Sequence, residues 1–374
     1  MNEIDSLIMN WRSALIGLVM VISILAIVRL LQRQVERPSV LWLAGFVGAS
    51  IATTIPILIG FAGAYDIWPG LTFLPTQMTL LFGPLVFFHA RTLMVEEPLG
   101  RLLWLLAPGV AYWFYQLGAF VLLEDAEAKF AFTRAFHGRY MTTVCFYASF
   151  AMTVGCLYAT WRLRKRYLAW LPAQRSDDAN FRPVWLTHLF TIGIPLTLLW
   201  ALENIIAPLV GADYFDRYWA DFFSLFLVYF IAVEALGNLH GPFPKMRLTE
   251  VPEEVPDRDL EGRDWHAEGH RMLEAIKANA WYLETNFSLS GLSRRVGMNQ
   301  AYVSRALNQG IGESFSHVIN KLRIDHAKSL IDQGEQTMLD IALASGFGSK
   351  ASFNRAFKTH EGCTPSAYKD RRSA

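Results

Sequence analysis

The chain has 374 residues, 53% of them hydrophobic and 14% aromatic, with a formal net charge of +1. That composition is too apolar for an ordinary water-soluble protein, and the length is enough for two domains. Three cysteines, Cys145, Cys156 and Cys363, exclude a disulfide framework, because the first two fall on one expected helix too far apart to bridge.

Apolar residues concentrate before residue 237, in runs near the ~20 residues needed to cross a bilayer. Seven spans are predicted: Ala14–Leu31, Val40–Phe61, Leu71–Val95, Leu102–Leu123, Tyr140–Trp161, Val184–Val210 and Tyr218–Leu236. An odd number puts the two ends of the chain on opposite sides. Alternate loops collect eleven cations on one face, namely Arg29, Arg33, Arg37, Arg91, Arg101, Arg162, Arg164, Lys165, Arg166, Arg175 and Arg182. The other face has five, Arg12, Lys129, Arg134, Arg139 and Arg217. The positive-inside rule therefore predicts an N-terminus outside and a C-terminus in the cytoplasm. Glu3 and Asp5 precede the first apolar run and its cations follow it, the reverse of a cleaved secretory leader. Trp42, Trp68, Trp104, Trp185 and Trp219 near the predicted interfaces read as headgroup anchors. Pro56, Pro84 and Pro195 each remove a backbone hydrogen bond and can kink a span.

An ionised group near mid-bilayer costs roughly 2.5–3.5 kcal/mol. Glu203, beside Asn204 and between Pro195 and Pro208, is the most costly, and Gln77 and Asp221 lie at similar depth. Two readings stand. Gln77, Glu203, Asn204 and Asp221 line an outward-opening pocket for a cationic or hydrogen-bonding ligand, or they hold helices together, with Asp221 at headgroup level. His89 and Arg91, in FFHARTL, read as snorkelling interface residues.

Residues 238–265 change character, with four prolines and seven acidic residues against four basic ones. This is a linker signature, spanning roughly 30 Å as a coil. So flexible a tether is no lever, and a signal would cross it by changing the association of neighbouring chains.

From residue 266 the chain turns basic, 14 Lys and Arg against 10 Asp and Glu. A lead helix is predicted over 266–284, with Leu273, Ile276, Ala280 and Leu283 on one face. A helix-turn-helix follows: Ser288 caps a support helix carrying Leu292 and Val296, Gly297 and Met298 turn the chain, and Asn299 caps a reading helix at Gln300–Asn308. Phe315, Val318, Ile319, Leu322, Ala327 and Leu330 trace a connecting helix that stops at Gly334. Thr337 and Asp340 form a capping box for a second unit, whose support helix carries Ile341 and Ala342 and whose turn spans Gly346–Gly348. Ser349 then caps a second reading helix at Lys350–Thr359, and Pro365 starts a closing helix. The reading helices repeat at an offset of fifty residues. Val303 and Leu307 match Phe353 and Phe357 on the buried face, Ala306 matches Ala356, and Ala301 and Arg305 match Ala351 and Arg355 on the face turned away from the core.

These residues resemble the DNA-binding domain of the AraC/XylS family of bacterial transcription regulators over 266–372, most specifically in IALASGFGSKASFNRAFKTHEGCTPSAYK at 341–369. The resemblance implies two helix-turn-helix subdomains in successive major grooves, with base-reading positions at Ala301, Tyr302, Ser304 and Arg305 and at Ala351, Ser352 and Arg355. Lys350, Lys358 and Lys321 suit phosphate. Two departures matter: Ser293 stands where the first support helix usually has alanine, and Ala301 and Ala351 offer only methyl contacts. The family pattern does not extend to the first 237 residues, which look like the multi-span sensor of a smaller group of such regulators.

His266 and His270 have i, i+4 spacing but no third ligand, so no metal is expected. No phosphate loop, nucleophile elbow or kinase set is present, and neither a cofactor nor enzyme activity is expected. The sequence thus predicts an all-α chain: a seven-helix transmembrane bundle over 1–237, a Pro/acidic linker over 238–265 and a tandem helix-turn-helix DNA-binding domain over 266–374. Its expected partners are double-stranded promoter DNA, the lipid bilayer, an unidentified small-molecule or membrane signal, and a second copy where a homodimer forms. Its expected place is the bacterial inner membrane, with the C-terminal domain in the cytoplasm. The alternatives are a transporter or receptor whose helix-turn-helix domain is a secondary regulatory module, and a helix-turn-helix pair that binds protein.

Overall fold

The computed structural model describes residues 10–123, 125–211, 218–238, 242–248, 264–334 and 336–373, and among these every regular element is a helix. Among the described residues six helices have the length and apolarity to cross a bilayer: Trp11–Leu31, Arg37–Phe61, Gly100–Leu122, Ala126–Gln174, Val184–Ala207 and Tyr218–Gly237. The third predicted span, Leu71–Val95, is instead a 16-residue helix, Thr79–Met94. At 1.5 Å per residue it is about 24 Å long, short of a ~30 Å hydrocarbon core. Pro69 opens a 3₁₀ turn over Pro69–Phe73, and Pro75 then keeps Leu74 extended, so the α-helix cannot start at Leu71.

The fifth predicted span, Tyr140–Trp161, is only the middle of a 49-residue helix, Ala126–Gln174. Its stretch Thr133–Met141 is π-helical. Arg162, Arg164, Lys165 and Arg166 continue this helix instead of opening a loop, as good helix formers with no glycine or proline among them.

The chain divides into two compact units, Met1–Arg164 with Pro183–Lys245, and Lys165–Arg182 with Met246–Ala374. In the first, Ile16, Val19, Met20, Phe61, Tyr218 and Leu225 form a core cluster. Asn10 ties two helix ends there: its Oδ1 accepts from the Arg12 and Ser13 amides, and its Nδ2 donates to the Phe61 carbonyl at 2.7 Å. Leu18, Leu25, Val121, Leu122 and Leu209 stand more than half exposed on the long helices, a surface that water penalises and hydrocarbon does not. His89 and Arg91 do not snorkel. His89 is fully buried against Trp185, with Nδ1 2.7 Å from Ser39 Oγ, and Arg91 donates to the Glu97 carbonyl at 2.6 Å. Most of the predicted linker lies outside the described residues. Its described start is fastened within the first unit, where Glu36 accepts from the Phe243 amide at 3.0 Å and pairs with Lys245 at 2.8 Å.

In the second unit the lead helix is Trp265–Ala278, shorter than the predicted 266–284. Ala280 takes a left-handed φ of 51°, ending the helix, and a 3₁₀ turn follows at Trp281–Leu283. The face it buries is Gly269, Met272 and Ile276, in place of Leu273 and Ala280. The first support and reading helices are Leu289–Val296 and Gln300–Arg305, the latter running into a π-helical stretch, Ala306–Ile311. The connecting helix is Phe315–Gln333, capped by Gly334 at φ 79°. Support helix Met338–Ala344, reading helix Lys350–Glu361 and closing helix Pro365–Ser373 complete the chain.

Two cores result, joined through the connecting helix. Phe315 and Ile319 belong to the first, with Leu289, Leu292, Tyr302, Val303 and Leu307. Ile324, Ala327 and Ile331 belong to the second, with Ile341, Phe347, Phe353 and Phe357. At the changeover lies Arg323, fully buried, with Nε donating to the Tyr282 carbonyl and Nη2 to the Glu284 carbonyl, both at 2.6 Å. Burial pushes its guanidinium down to about 10, against the pull of Asp177.

Candidate nucleic-acid interface

Each reading helix starts at a side-chain cap. Asn299 Oδ1 accepts from the Ala301 and Tyr302 amides at 2.6 and 3.4 Å, and Ser349 Oγ accepts from the Ser352 amide at 3.2 Å. These bonds satisfy amides that a helix start leaves orphaned. Ser349→Ala is expected to lower the stability of the second subdomain by about 1 kcal/mol, read as weaker amide protection at Ser352 and Phe353. Unchanged protection would show that the cap contributes nothing.

The turn of the first unit explains the departure at Ser293. Its hydroxyl donates to the Met298 carbonyl, while the Met298 amide donates to the Ser293 carbonyl at 3.0 Å. Alanine would leave that carbonyl to solvent. Gly297, at φ 66°, supplies the left-handed step between them.

The predicted contact residues separate into two sets. Lys350, Ala351 and Arg355 are exposed, and Ala301, Ser304 and Arg305 are half-buried. Among the described residues no carboxylate pairs with Arg305, Lys350 or Arg355, whereas Arg295 is held by Glu284 at 2.7 Å and Lys328 by Glu361 at 2.9 Å. Those two carboxylates raise the pKa of their cations. Arg305 instead lies over the Trp265 ring, 5.9 Å from its centroid. Tyr302 and Ser352, by contrast, are buried. The Tyr302 ring packs on Trp265 with centroids 5.1 Å apart, and Ser352 faces its cap, the two hydroxyls 3.1 Å apart.

Sequence reasoning missed a third participant. Residues 165–182, which lie between the fifth and sixth apolar helices in the chain, belong to the helix-turn-helix unit. Arg175 forms an isolated antiparallel bridge with Ser288. Ser176 Oγ donates to the Phe287 carbonyl at 3.2 Å, and Asn320 Nδ2 donates to the Ser176 carbonyl at 2.9 Å. Ser316 Oγ donates to Asp178 at 3.5 Å, and Arg355 Nη2 to Asn180 Oδ1 at 3.4 Å. Sequence separations of 111–175 residues leave no local signal by which to find these contacts.

Three of the four polar residues singled out in the spans have described surroundings of different kinds. Gln77 is exposed, and its backbone exchanges two hydrogen bonds with the Gln116 side chain, at 3.0 and 3.2 Å. Asn204 donates back to the Trp200 carbonyl at 2.8 Å within its own helix. Asp221 alone of the four lines a cavity of about 200 Å³ inside the first unit, beside Ser50, Thr54, Thr197 and Ser224. Each of these four hydroxyls donates to the carbonyl four residues earlier, at 2.7–2.9 Å. What they can still offer the cavity is oxygen lone pairs. The rings of His266 and His270 lie 4.4 Å apart, and the described residues hold no set of three metal-ligating side chains.

Residues 292–371 match the family profile described as a helix-turn-helix domain. An uncharacterized HTH-type transcriptional regulator of Staphylococcus aureus strain MSSA476 is 40% identical over 97 residues, 25% of this chain and 13% of that protein. One of Haemophilus influenzae is 34% identical over 91 residues, 24% of this chain and 28% of that protein. The chain therefore spans about 13% of the length of the Staphylococcus relatives it matches. Among solved structures, the C-terminal domain of AraT, a response regulator from Geobacillus stearothermophilus, shares 25% identity. That match covers 28% of this chain and 84% of AraT's domain with a TM-score of 0.26, too low to bear on the fold. The C-terminal segment carries a helix-turn-helix domain of the AraC type, and its relatives are transcriptional regulators.

Proposed function

We propose that this chain is a membrane-tethered, one-component transcription regulator: its apolar helices sit in the bacterial inner membrane and sense a signal, and its C-terminal domain reads promoter DNA in the cytoplasm. The observation that carries this reading is the pairing, among the described residues, of six helices of bilayer-crossing length with two capped reading helices whose Arg305, Lys350 and Arg355 meet no described carboxylate. On this reading the short apolar helix Thr79–Met94 completes a seventh crossing, and the loop charge bias then supports a cytoplasmic C-terminal domain. Domain limits of 1–237, 238–265 and 266–374 follow on this reading, and a homodimer would give the DNA two copies. Nothing in it calls for enzyme activity.

Within the interface, Arg305 and Arg355 are suited to bidentate contacts with guanine, Ala301 and Ala351 to thymine methyls, and Ser304 to either base type. Lys350 takes phosphate. Buried Tyr302 and Ser352 act from inside, setting the helix that presents the others. Arg355→Ala is expected to weaken binding to the preferred duplex by about 1–3 kcal/mol, roughly 10- to 100-fold, and to relax preference at one position. Binding selections on randomised duplexes would show this. A uniform loss across all sequences would reassign Arg355 to phosphate.

Signal sensing is assigned to the first unit, with Asp221 at its cavity and Gln77, Glu203 and Asn204 as the remaining candidates. A cavity walled mainly by apolar side chains, with hydroxyl oxygens and Asp221 among them, suits a largely apolar ligand that carries a donor group. Should Asp221→Asn and Glu203→Gln insert normally and leave signal-dependent transcription unchanged, the sensing site lies elsewhere.

A further inference from the structure

The segment 175–182 is flanked in the chain by apolar helices on both sides, Ala126–Gln174 before it and Val184–Ala207 after it, yet its bonds are to the helix-turn-helix unit. It touches that unit at three places. Arg175 and Ser176 meet the entry of the first support helix, through Ser288 and the Phe287 carbonyl. Ser176 and Asp178 meet the connecting helix, through Asn320 and Ser316. Asn180 meets the second reading helix at Arg355.

The fit is built at its middle and loose at its end. Ser176 and Asp178 are more than nine-tenths buried, whereas Asn180 and Arg355 are both exposed. Within the segment Asp177 pairs with Arg175 at 2.6 Å and Asp178 with Arg182 at 2.7 Å, so its charges are balanced, and what it brings to the second reading helix is the Asn180 amide oxygen, which takes one donor of a guanidinium that no described carboxylate holds. A contact held by several modest hydrogen bonds is one that a stronger polyanion can displace.

We propose that residues 175–182 are a built-in competitor of DNA: docked against the connecting helix, they occupy Arg355 through Asn180, and undocked, they release it to bind. This rests on the DNA-binding reading above. It gives the sensor a route to the reading helices that does not use the 238–265 linker, because displacement of either flanking helix acts directly on the docked segment. A ligand or membrane change that favours the undocked form would raise DNA affinity by its preference between the two forms.

The test uses the full chain in lipid nanodiscs and a duplex selected from a randomised pool by the Ser176→Ala/Asn180→Ala variant. That variant is expected to bind the duplex at least tenfold more tightly than the unaltered chain, with the same sequence preference. A second variant, Asp178→Cys/Ser316→Cys with the three native cysteines replaced by serine, locks the segment in place on oxidation. It is expected to lose binding when oxidised and regain it with dithiothreitol. Equal or weaker binding by the alanine variant, or undiminished binding by the oxidised pair, overturns the competitor role while the DNA-binding reading stands. No sequence-selective binding by any variant, the reduced pair included, overturns both.

Discussion

Arg323→Ala is expected to cost the helix-turn-helix unit about 2–6 kcal/mol, from two buried carbonyls left without donors at about 1–3 kcal/mol each. Two carbonyls, of Tyr282 and Glu284, would lose donors at 2.6 Å in a site closed to water. The guanidinium also lies 5.5 Å over the Phe347 ring, so the deletion would open space beneath the second core. Hydrogen exchange on the full chain should show amide protection across Ile319–Ile331 falling by two orders of magnitude or more. Arg323→Lys keeps the charge but not the planar fork that reaches both carbonyls, and should recover less than half of the loss. Should lysine restore protection in full, charge alone holds the junction, and the two directed bonds are incidental.

Gly310→Ala is expected to be nearly as damaging, by about 3 kcal/mol or more, through overpacking against backbone. A β-carbon there would stand 2.0 Å from the Trp265 carbonyl oxygen, and one on the facing Gly269 would stand 2.6 Å from the Ala306 carbonyl oxygen. Neither obstacle is a side-chain tip that can rotate away. The lead helix would have to lift, taking Trp265 off Tyr302 and from beneath Arg305. Gly297→Ala is the comparison, since its φ of 66° is strained for alanine but nothing lies within 4 Å. It should cost about 1–2 kcal/mol. A larger loss at Gly297 than at Gly310 would mean that backbone conformation, and not the close helix approach, governs this unit.

The helix-turn-helix pair was readable because its signals are local. Caps at Ser288, Asn299, Thr337 and Ser349, left-handed glycines at 297, 334, 346 and 362, and the matched pairs Val303/Phe353 and Leu307/Phe357 all declare themselves within a few residues. The misreadings have physical causes of a different kind. Ala280 ends the lead helix in a backbone state that its side chain disfavours, so no residue type marked the stop. Trp265 was assigned to the linker. Its ring covers Tyr302, which also belongs to the first core, whereas the family resemblance places Tyr302 among the base-reading positions. The π-helical stretch Ala306–Ile311 shifts the facing of residues after Arg305, and no periodicity in the sequence announces it. In the apolar half, spans were legible as hydrophobic runs, while the start of the third and the end of the fifth depended on Pro75 and on cations that extend a helix. The cavity gathers side chains from helices far apart in sequence, so of the four polar candidates only Asp221 reached it.

Residues Tyr282–Glu284 are gripped from two sides. Arg323 holds their carbonyls, and Gly346, at φ 83°, brings the second turn so close that a β-carbon would lie 2.6 Å from the Leu283 carbonyl oxygen. A peptide leaving the first subdomain is thus keyed into the turn that aims the second reading helix. Such a joint makes the pair a ruler. The two recognition elements cannot slide or rotate independently to suit DNA, so any misfit in the spacing of two half-sites must be absorbed by the duplex, as twist or bend. Inserting about half a helical turn between the half-sites, roughly five base pairs, should abolish joint binding, and a full turn should not restore it, because the ruler has no longer setting.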